Sequence, residues 1–243
     1  MELLIGRNLT LKLASVLAGL LCLLSLPVTG DGLKAGVSAL KRNHYATAMR
    51  AWLPLAEQGS AQAQNNLGHL YEEGFGVAQN YTQAMSWYKK AALKGLAEAQ
   101  HNVGMLYYQG YGVRQNYRSA RKWFNLAAQQ DLAESQYMLG LAYYLGRGVS
   151  QDNRLARQWF YKSAKQDYGN SQLMFAYMTQ AGDGTEPQPQ VALVWALLAD
   201  KNGIPDARDV AYHAELLLEE QEIASAKQLF QQCLSTQLEQ CSG

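Results

Sequence analysis

Very little in this sequence breaks a helix. Five prolines occur in 243 residues, and no Pro/Ser-rich or low-complexity stretch divides the chain, so nothing marks a linker to a second domain. Charge is sparse at 17%, with 21 basic against 20 acidic residues and no run of either sign. That excludes a surface built to track phosphates, and with it nucleic acid as a partner. The four histidines (His44, His69, His101 and His213) fall in no H-E-x-x-H and in no Cys/His cluster of zinc spacing, so they read as structural or surface groups, with no metal and no cofactor. Gly74-Phe75-Gly76 is not followed by Gly-Lys-Ser/Thr, and loop glycine accounts for it.

Cysteine is also scarce. Cys22 lies in an N-terminal segment unlike the rest: Arg7 and Lys12, an apolar run from Leu13 to Leu26, then Pro27-Val28-Thr29-Gly30. The run falls short of the roughly 20 residues that span a bilayer and matches the apolar region of a signal peptide. Val28 and Gly30 supply small residues for cleavage before Asp31. Residues 1–30 are therefore read as a signal peptide and the chain as periplasmic or secreted, the alternative being an uncleaved N-terminal membrane anchor. A lipoprotein is disfavoured because Leu21 stands before Cys22. Removing the segment leaves 19 basic and 19 acidic residues, and Cys233 and Cys241 as the remaining cysteines. An exported chain permits one disulfide between them. Eight residues of unbroken helix would hold the two Cα atoms about 12 Å apart, whereas a bridge needs roughly 7 Å or less. Pairing thus requires the helix to end between them and the tail to fold back; two free thiols is the alternative.

What the chain has in quantity is self-similarity, the first property to look for in any sequence. Shifted by 36 residues, three stretches align: 61–96, 97–132 and 133–168. Gly68, Gly104 and Gly140 coincide, as do Tyr71, Tyr107 and Tyr143; Gly74, Gly110 and Gly146; Gly76, Gly112 and Gly148; Val77, Val113 and Val149; and Trp87, Trp123 and Trp159. Each unit reads as two helices. Ala63, Leu67 and Tyr71 make an apolar stripe on the first. Gly68, in mid-helix where glycine costs about 1 kcal/mol, marks a close crossing. Gly74 ends the helix in the left-handed conformation, Gly76 keeps the loop tight, and Val77 turns inward. Asn80, Asn116 and Asp152 are N-caps for the second helix, Gln83 giving the first a capping-box spacing; the cap role also accounts for the sequon Asn80-Tyr81-Thr82. Ala84, Trp87, Tyr88 and Ala91 form the buried face of the second helix, so truncating Trp123 is expected to cost ~3–5 kcal/mol.

The register continues at both ends. Tyr45, Ala48, Trp52, Ala56 and Gly59 match a second helix, with 33–43 as a divergent first, so 31–60 reads as N-terminal capping helices. Downstream, Gly182, Gly184, Ala192, Trp195 and Gly203 stay in phase within a degenerate unit, 169–205, that carries Thr179 for the tyrosine and Pro187 and Pro189 in its loop. Residues 206–243 read as a polar, capping helical hairpin. The expected fold is all-α, an α/α solenoid in which each unit covers its neighbour's apolar face.

The pattern A-x-A-Q-x-x-L-G-x-x-Y-x-x-G-x-G-V-x-x-N-Y-x-x-A-x-x-W-Y-x-K-A-A-x-x-G, over about residues 44–205, closely resembles the Sel1-like repeat, a relative of the tetratricopeptide repeat. The resemblance implies a superhelix whose first helices line a concave face that holds partner proteins. It implies an exported adaptor or scaffold with an envelope protein as partner, or a periplasmic regulator of a membrane sensor or a polysaccharide-export system. Through cysteine-rich relatives linked to β-lactam binding, the resemblance also raises a third alternative, an enzyme acting on β-lactam or cell-wall substrates, and Ser-x-x-Lys occurs at Ser38–Lys41, Ser86–Lys89 and Ser119–Lys122. The accompanying Ser-Asp-Asn and Lys-Thr-Gly are missing, so no catalytic residues are assigned.

Under that resemblance, helical phase gives the concave positions: Gln62, Asn65, His69, Glu72 and Glu73 in the first unit; Glu98, His101, Met105, Tyr108 and Gln109 in the second; Glu134, Tyr137, Leu141, Tyr144 and Leu145 in the third; Asn170, Leu173, Tyr177 and Gln180 in the fourth. The face grades from polar and acidic to aromatic. Exposed aromatic surface concentrates binding energy, so Met105, Tyr108, Tyr137, Leu141, Tyr144 and Tyr177 are the expected contact residues for a protein or peptide. The alternative is that the C-terminal hairpin or closure of the superhelix covers them.

Overall fold

The computed structural model describes residues 31–239 and Cys241; the signal-peptide reading and Cys22 lie outside the described residues. Among the described residues the chain is helical throughout: α1 (Asp31–Lys41), α2 (Tyr45–Glu57), α3 (Ala61–Glu73), α4 (Tyr81–Ala92), α5 (Ala97–Gln109), α6 (Tyr117–Ala128), α7 (Ala133–Leu145), α8 (Asn153–Ala164), α9 (Gly169–Ala181), α10 (Pro189–Lys201), α11 (Ala207–Glu215) and α12 (Glu220–Ser235). Each helix packs chiefly on the helices next to it in sequence, as a solenoid requires.

Local chemistry makes each hairpin. The side chains of Asn80, Asn116 and Asp152 accept from the backbone N–H groups of Gln83, Ser119 and Leu155 at 2.9–3.0 Å, satisfying one otherwise unpaired donor of each second helix. The same three residues donate their own N–H to the carbonyls of Tyr71, Tyr107 and Tyr143, tying the start of the second helix to the end of the first. Gln188 does this to Thr179 in the fourth unit, so the tie survives loss of the tyrosine. Gly74, Gly110 and Gly146 cap the first helices at φ 73°, 80° and 66°. The next loop glycine does more than tighten a turn. A Cβ on Gly112 would stand 2.6 Å from the Tyr81 backbone and one on Gly148 2.5 Å from that of Tyr117. Here the loop of one unit rests on the N-terminus of the preceding unit's second helix.

The mid-helix glycines mark the close crossing, and the partner corrects one expectation. Cβ atoms at Gly68, Gly104 and Gly140 would lie 2.5–2.6 Å from the rings of Tyr88, Phe124 and Phe160. Those three rings, each within 1% of full burial, are the core aromatics. Trp87, Trp123 and Trp159, expected inside, are half-buried. Each packs back on the apolar cluster of the unit before it, with Lys90 and Lys162 lying 3.8 and 4.6 Å over Trp87 and Trp159. In the degenerate unit the crossing pair changes together: Ala176 replaces the glycine and Ala196 the ring, both fully buried. At the other end α1 supplies the divergent first helix, with Gly36 against the Trp52 indole and Trp52 Nε1 donating to the Leu33 carbonyl at 3.2 Å.

A buried glutamine staples neighbouring units. Nε2 of Gln64, Gln100, Gln136 and Gln172 donates to the carbonyls of Ala56, Ala92, Ala128 and Ala164, at the end of the preceding second helix. Oε1 of the last three accepts from Gln130, Gln166 and Asn202 at 2.8–3.0 Å. In the first unit the corresponding residue is Lys94, which reaches the Gly59 carbonyl instead, and Gln64 Oε1 has no protein partner.

The hairpin α11–α12 closes the C-terminal end, but it is not the polar surface expected: Tyr212, Leu216 and Leu217 are 59–64% exposed. Beyond α12 the backbone reverses through Gln237 and Leu238 at φ 50° and 70°. This reversal brings Cys233 and Cys241 to a Cα separation of 5.2 Å, where they form a disulfide. Tyr161 donates to the Cys241 carbonyl at 3.1 Å, anchoring the tail on α8.

Candidate functional site: the face of the first helices

Alternate helices α3, α5, α7 and α9 touch one another along one face. Asn102 on α5 donates to Asn65 on α3 at 3.0 Å, and His101 meets Ser135 Oγ on α7 at 2.9 Å. Burial pushes the His101 imidazole below its ordinary range, with Glu134 opposing. His101 thus belongs to the packing between units.

The six expected contact residues lie on this face in an order set by repeat register. Met105 and Tyr108 on α5 and Tyr137 and Leu141 on α7 are half-buried against the α6–α7 core; Tyr137, Leu141 and Tyr144 also border the C-terminal core. The Tyr108 ring stands 5.2 Å from Tyr117. The Arg147 guanidinium lies 5.4 and 5.5 Å over these two rings and donates to the Tyr108 hydroxyl. Tyr137 is 5.7 Å from Phe160 and 5.4 Å from Tyr168. Burial, then the phenols of Tyr168 and Tyr108, raise its pKa. Burial also raises Tyr144, followed by the neighbouring Tyr177 and Asp183. Both phenols therefore stay neutral hydroxyls, with an apolar ring and a polar tip.

Tyr177 on α9 is 47% exposed, so the C-terminal hairpin does not cover it. It borders a cleft of about 490 Å³ between α9 and α11, together with Val210 and Leu217 and with Asp206 and Asp209. Tyr117, Arg147 and Tyr168 belong to the same surface but were not among the expected contacts. Tyr168 occupies the register position of Leu96 and Leu132, a departure from the repeat that was its one visible signal.

Toward the N-terminal end the same face is polar. Glu72 and Glu73 close α3, and Tyr88 donates to Glu72 Oε2 at 2.5 Å. Burial chiefly, then the two carboxylates, push the Tyr88 phenol far up. In the next two units Phe124 and Phe160 replace Tyr88 while Tyr108 and Tyr144 replace Glu72, so the hydroxyl moves from the core ring to the face. The acidic-to-aromatic grading is this exchange repeated.

This arrangement of first helix, αL glycine, capped second helix and 36-residue register matches the Sel1 repeat model at residues 61–96, 97–132, 133–168 and 170–203. The chain belongs to the Sel1 repeat family. Its fold is similar to that of c5321, a protective antigen present in uropathogenic Escherichia coli strains, at 37% identity and a TM-score of 0.69, covering 72% of this chain and 38% of that one. A Sel1 repeat protein from Oxalobacter formigenes is 30% identical, with a TM-score of 0.68 and 72% of each chain covered. A putative sel1 repeat protein from Klebsiella pneumoniae subsp. pneumoniae, 19% identical over 77% of this chain and 97% of its own, shares the fold at a TM-score of 0.51. No curated protein matches the chain. Sel1 repeat proteins are in general non-catalytic scaffolds for protein–protein interaction.

Proposed function

We propose that this chain is an exported adaptor that holds an envelope protein or peptide against the face formed by α5, α7 and α9. The observation that carries this reading is the continuous row Met105, Tyr108, Tyr137, Leu141, Tyr144 and Tyr177, partly solvent-facing and ending at the open cleft beside α11. Half-exposed tyrosine and leucine offer area with few rotamers to lose, which is where interfaces concentrate their energy. Export rests on the basic start, the apolar run Leu13–Leu26 and the small residues before Asp31. Among the described residues no helix is long and apolar enough to cross a membrane.

Cross-linking followed by affinity capture from the envelope fraction tests the reading. One partner should be recovered with the native chain and lost with Tyr137→Ala/Tyr144→Ala, while circular dichroism shows the double variant folded. Equal recovery with both chains would remove the groove from the interaction. Recovery of the chain itself from cytoplasm, without processing, would remove the export.

A further inference from the structure

At the acidic end of the same face, the last turn of α3 gathers a different chemistry. His69, Glu72 and Glu73 stand at i, i+3 and i+4, and one ligand atom from each lies within 4.8 Å of the others. Two of the three side chains are held in place. The His69 ring meets Phe75 edge-on at 5.9 Å, and Phe75 is itself stacked at 4.5 Å on Tyr45 of the preceding unit. Glu72 accepts from the Tyr88 hydroxyl through one oxygen. Such outer hydrogen bonds and ring contacts are what orient metal ligands.

Neither carboxylate is in an ion pair: among the described residues the ion pairs are Arg208–Asp200 and Lys227–Glu215. The turn that carries them is also the C-terminal end of α3, capped at Gly74, where helix carbonyls add negative potential and favour a cation. Adjacent uncompensated carboxylates and an imidazole at that helix end form a mixed nitrogen–oxygen donor set.

We propose that His69, Glu72 and Glu73 bind a divalent transition-metal ion, with Zn²⁺ the best fit. Imidazole with carboxylates suits zinc, whereas Ca²⁺ and Mg²⁺ take oxygen ligands at higher coordination. Ligands around tetrahedral zinc lie roughly 3.4 Å apart, so from a spacing of up to 4.8 Å the three groups close by at most about 1.4 Å. Glu73, exposed at the end of the helix, has the freedom to make that movement. Three protein ligands leave one coordination position for water. The sequence contained the signal as H-x-x-E-E, which a search for paired histidines passes over.

Titration of the full-length chain with ZnCl₂ by calorimetry, with histidine side-chain NMR alongside, tests the site. One equivalent should bind, be removed by EDTA, and shift the imidazole resonances of His69 and not those of His101. His69→Ala and Glu73→Gln should each weaken binding by roughly tenfold or more, with helical content unchanged by circular dichroism. Tyr88→Phe keeps the core ring and should weaken binding by a similar factor. No binding tighter than about 1 mM, or binding that persists unchanged in both His69→Ala and Glu73→Gln, would overturn the proposal.

Discussion

Gly104 and Phe124 show how one residue pair sets the distance between helices. A methyl on Gly104 would meet the ring at 2.6 Å, so Gly104→Ala should destabilise by ~1–3 kcal/mol through overpacking. The Ala176/Ala196 pair of the degenerate unit is the natural alternative. Denaturant unfolding of Gly104→Ala, Phe124→Ala and the double variant should therefore give a double loss clearly smaller than the sum of the singles. Phe124→Ala alone should cost ~3–5 kcal/mol, and Trp123→Ala, from a half-buried position, about 1–2 kcal/mol. The second figure is smaller than the ~3–5 kcal/mol expected from the sequence for a buried Trp123. Two adjacent aromatics sit about 100° apart on a helix, and the repeat pattern alone did not say which of them points inward. His101 adds a pH dependence. Its folded pKa lies below the ordinary value of about 6.5, so the unfolded chain binds the proton more tightly. The stability involved is present above the unfolded pKa and is lost as pH falls through it toward the folded value. Between pH 7 and 5 the native chain should lose stability more steeply than His101→Asn, as thermal melts across that window would read.

At the level of the element, the glutamine staple decides how strongly one unit holds the next. Gln136→Leu removes one of two donors to the Ala128 carbonyl, which keeps the Asp131 N–H, and the acceptor of the exposed Gln166 amide, and should cost ~0.5–1.5 kcal/mol. Gln64→Leu should cost less, because Oε1 of Gln64 has no protein partner to lose. Hydrogen exchange would localise the first effect to amides at the α6–α7 junction. The helices themselves were legible residue by residue: the caps at Asn80, Asn116 and Asp152 and the αL glycines fall where local chemistry places them. The staple was not legible, although its glutamines recur in the repeat pattern. Its partners lie eight residues before and thirty after, and only the stacking of units brings them together. The Cys233–Cys241 bridge was legible as a condition on where α12 must stop, and the backbone reversal at Gln237 and Leu238 meets it.

For the whole molecule, adjacent contacts build the solenoid while contacts between alternate helices build the face of the first helices. The grading of that face from Glu72 and Glu73 to Tyr144 and Tyr177 could be read from register, because each unit places the same positions there. Arg147 over Tyr108 and Tyr117 could not, since a loop residue's reach across a neighbouring unit has no sequence period. Nor could the exposed Tyr212, Leu216 and Leu217 of the closing hairpin be told from core residues, since it lacks the repeat that reveals burial elsewhere. Of these, Leu217 lines the cleft beside Tyr177. The most direct measurement is site-specific photo-cross-linking in the native cell, with a benzophenone side chain placed at Tyr177 on α9 or at Leu126, exposed on the second helix α6. A single partner adduct at Tyr177, with none at Leu126, is the expected result; an adduct at Leu126 alone would contradict binding through the first-helix face.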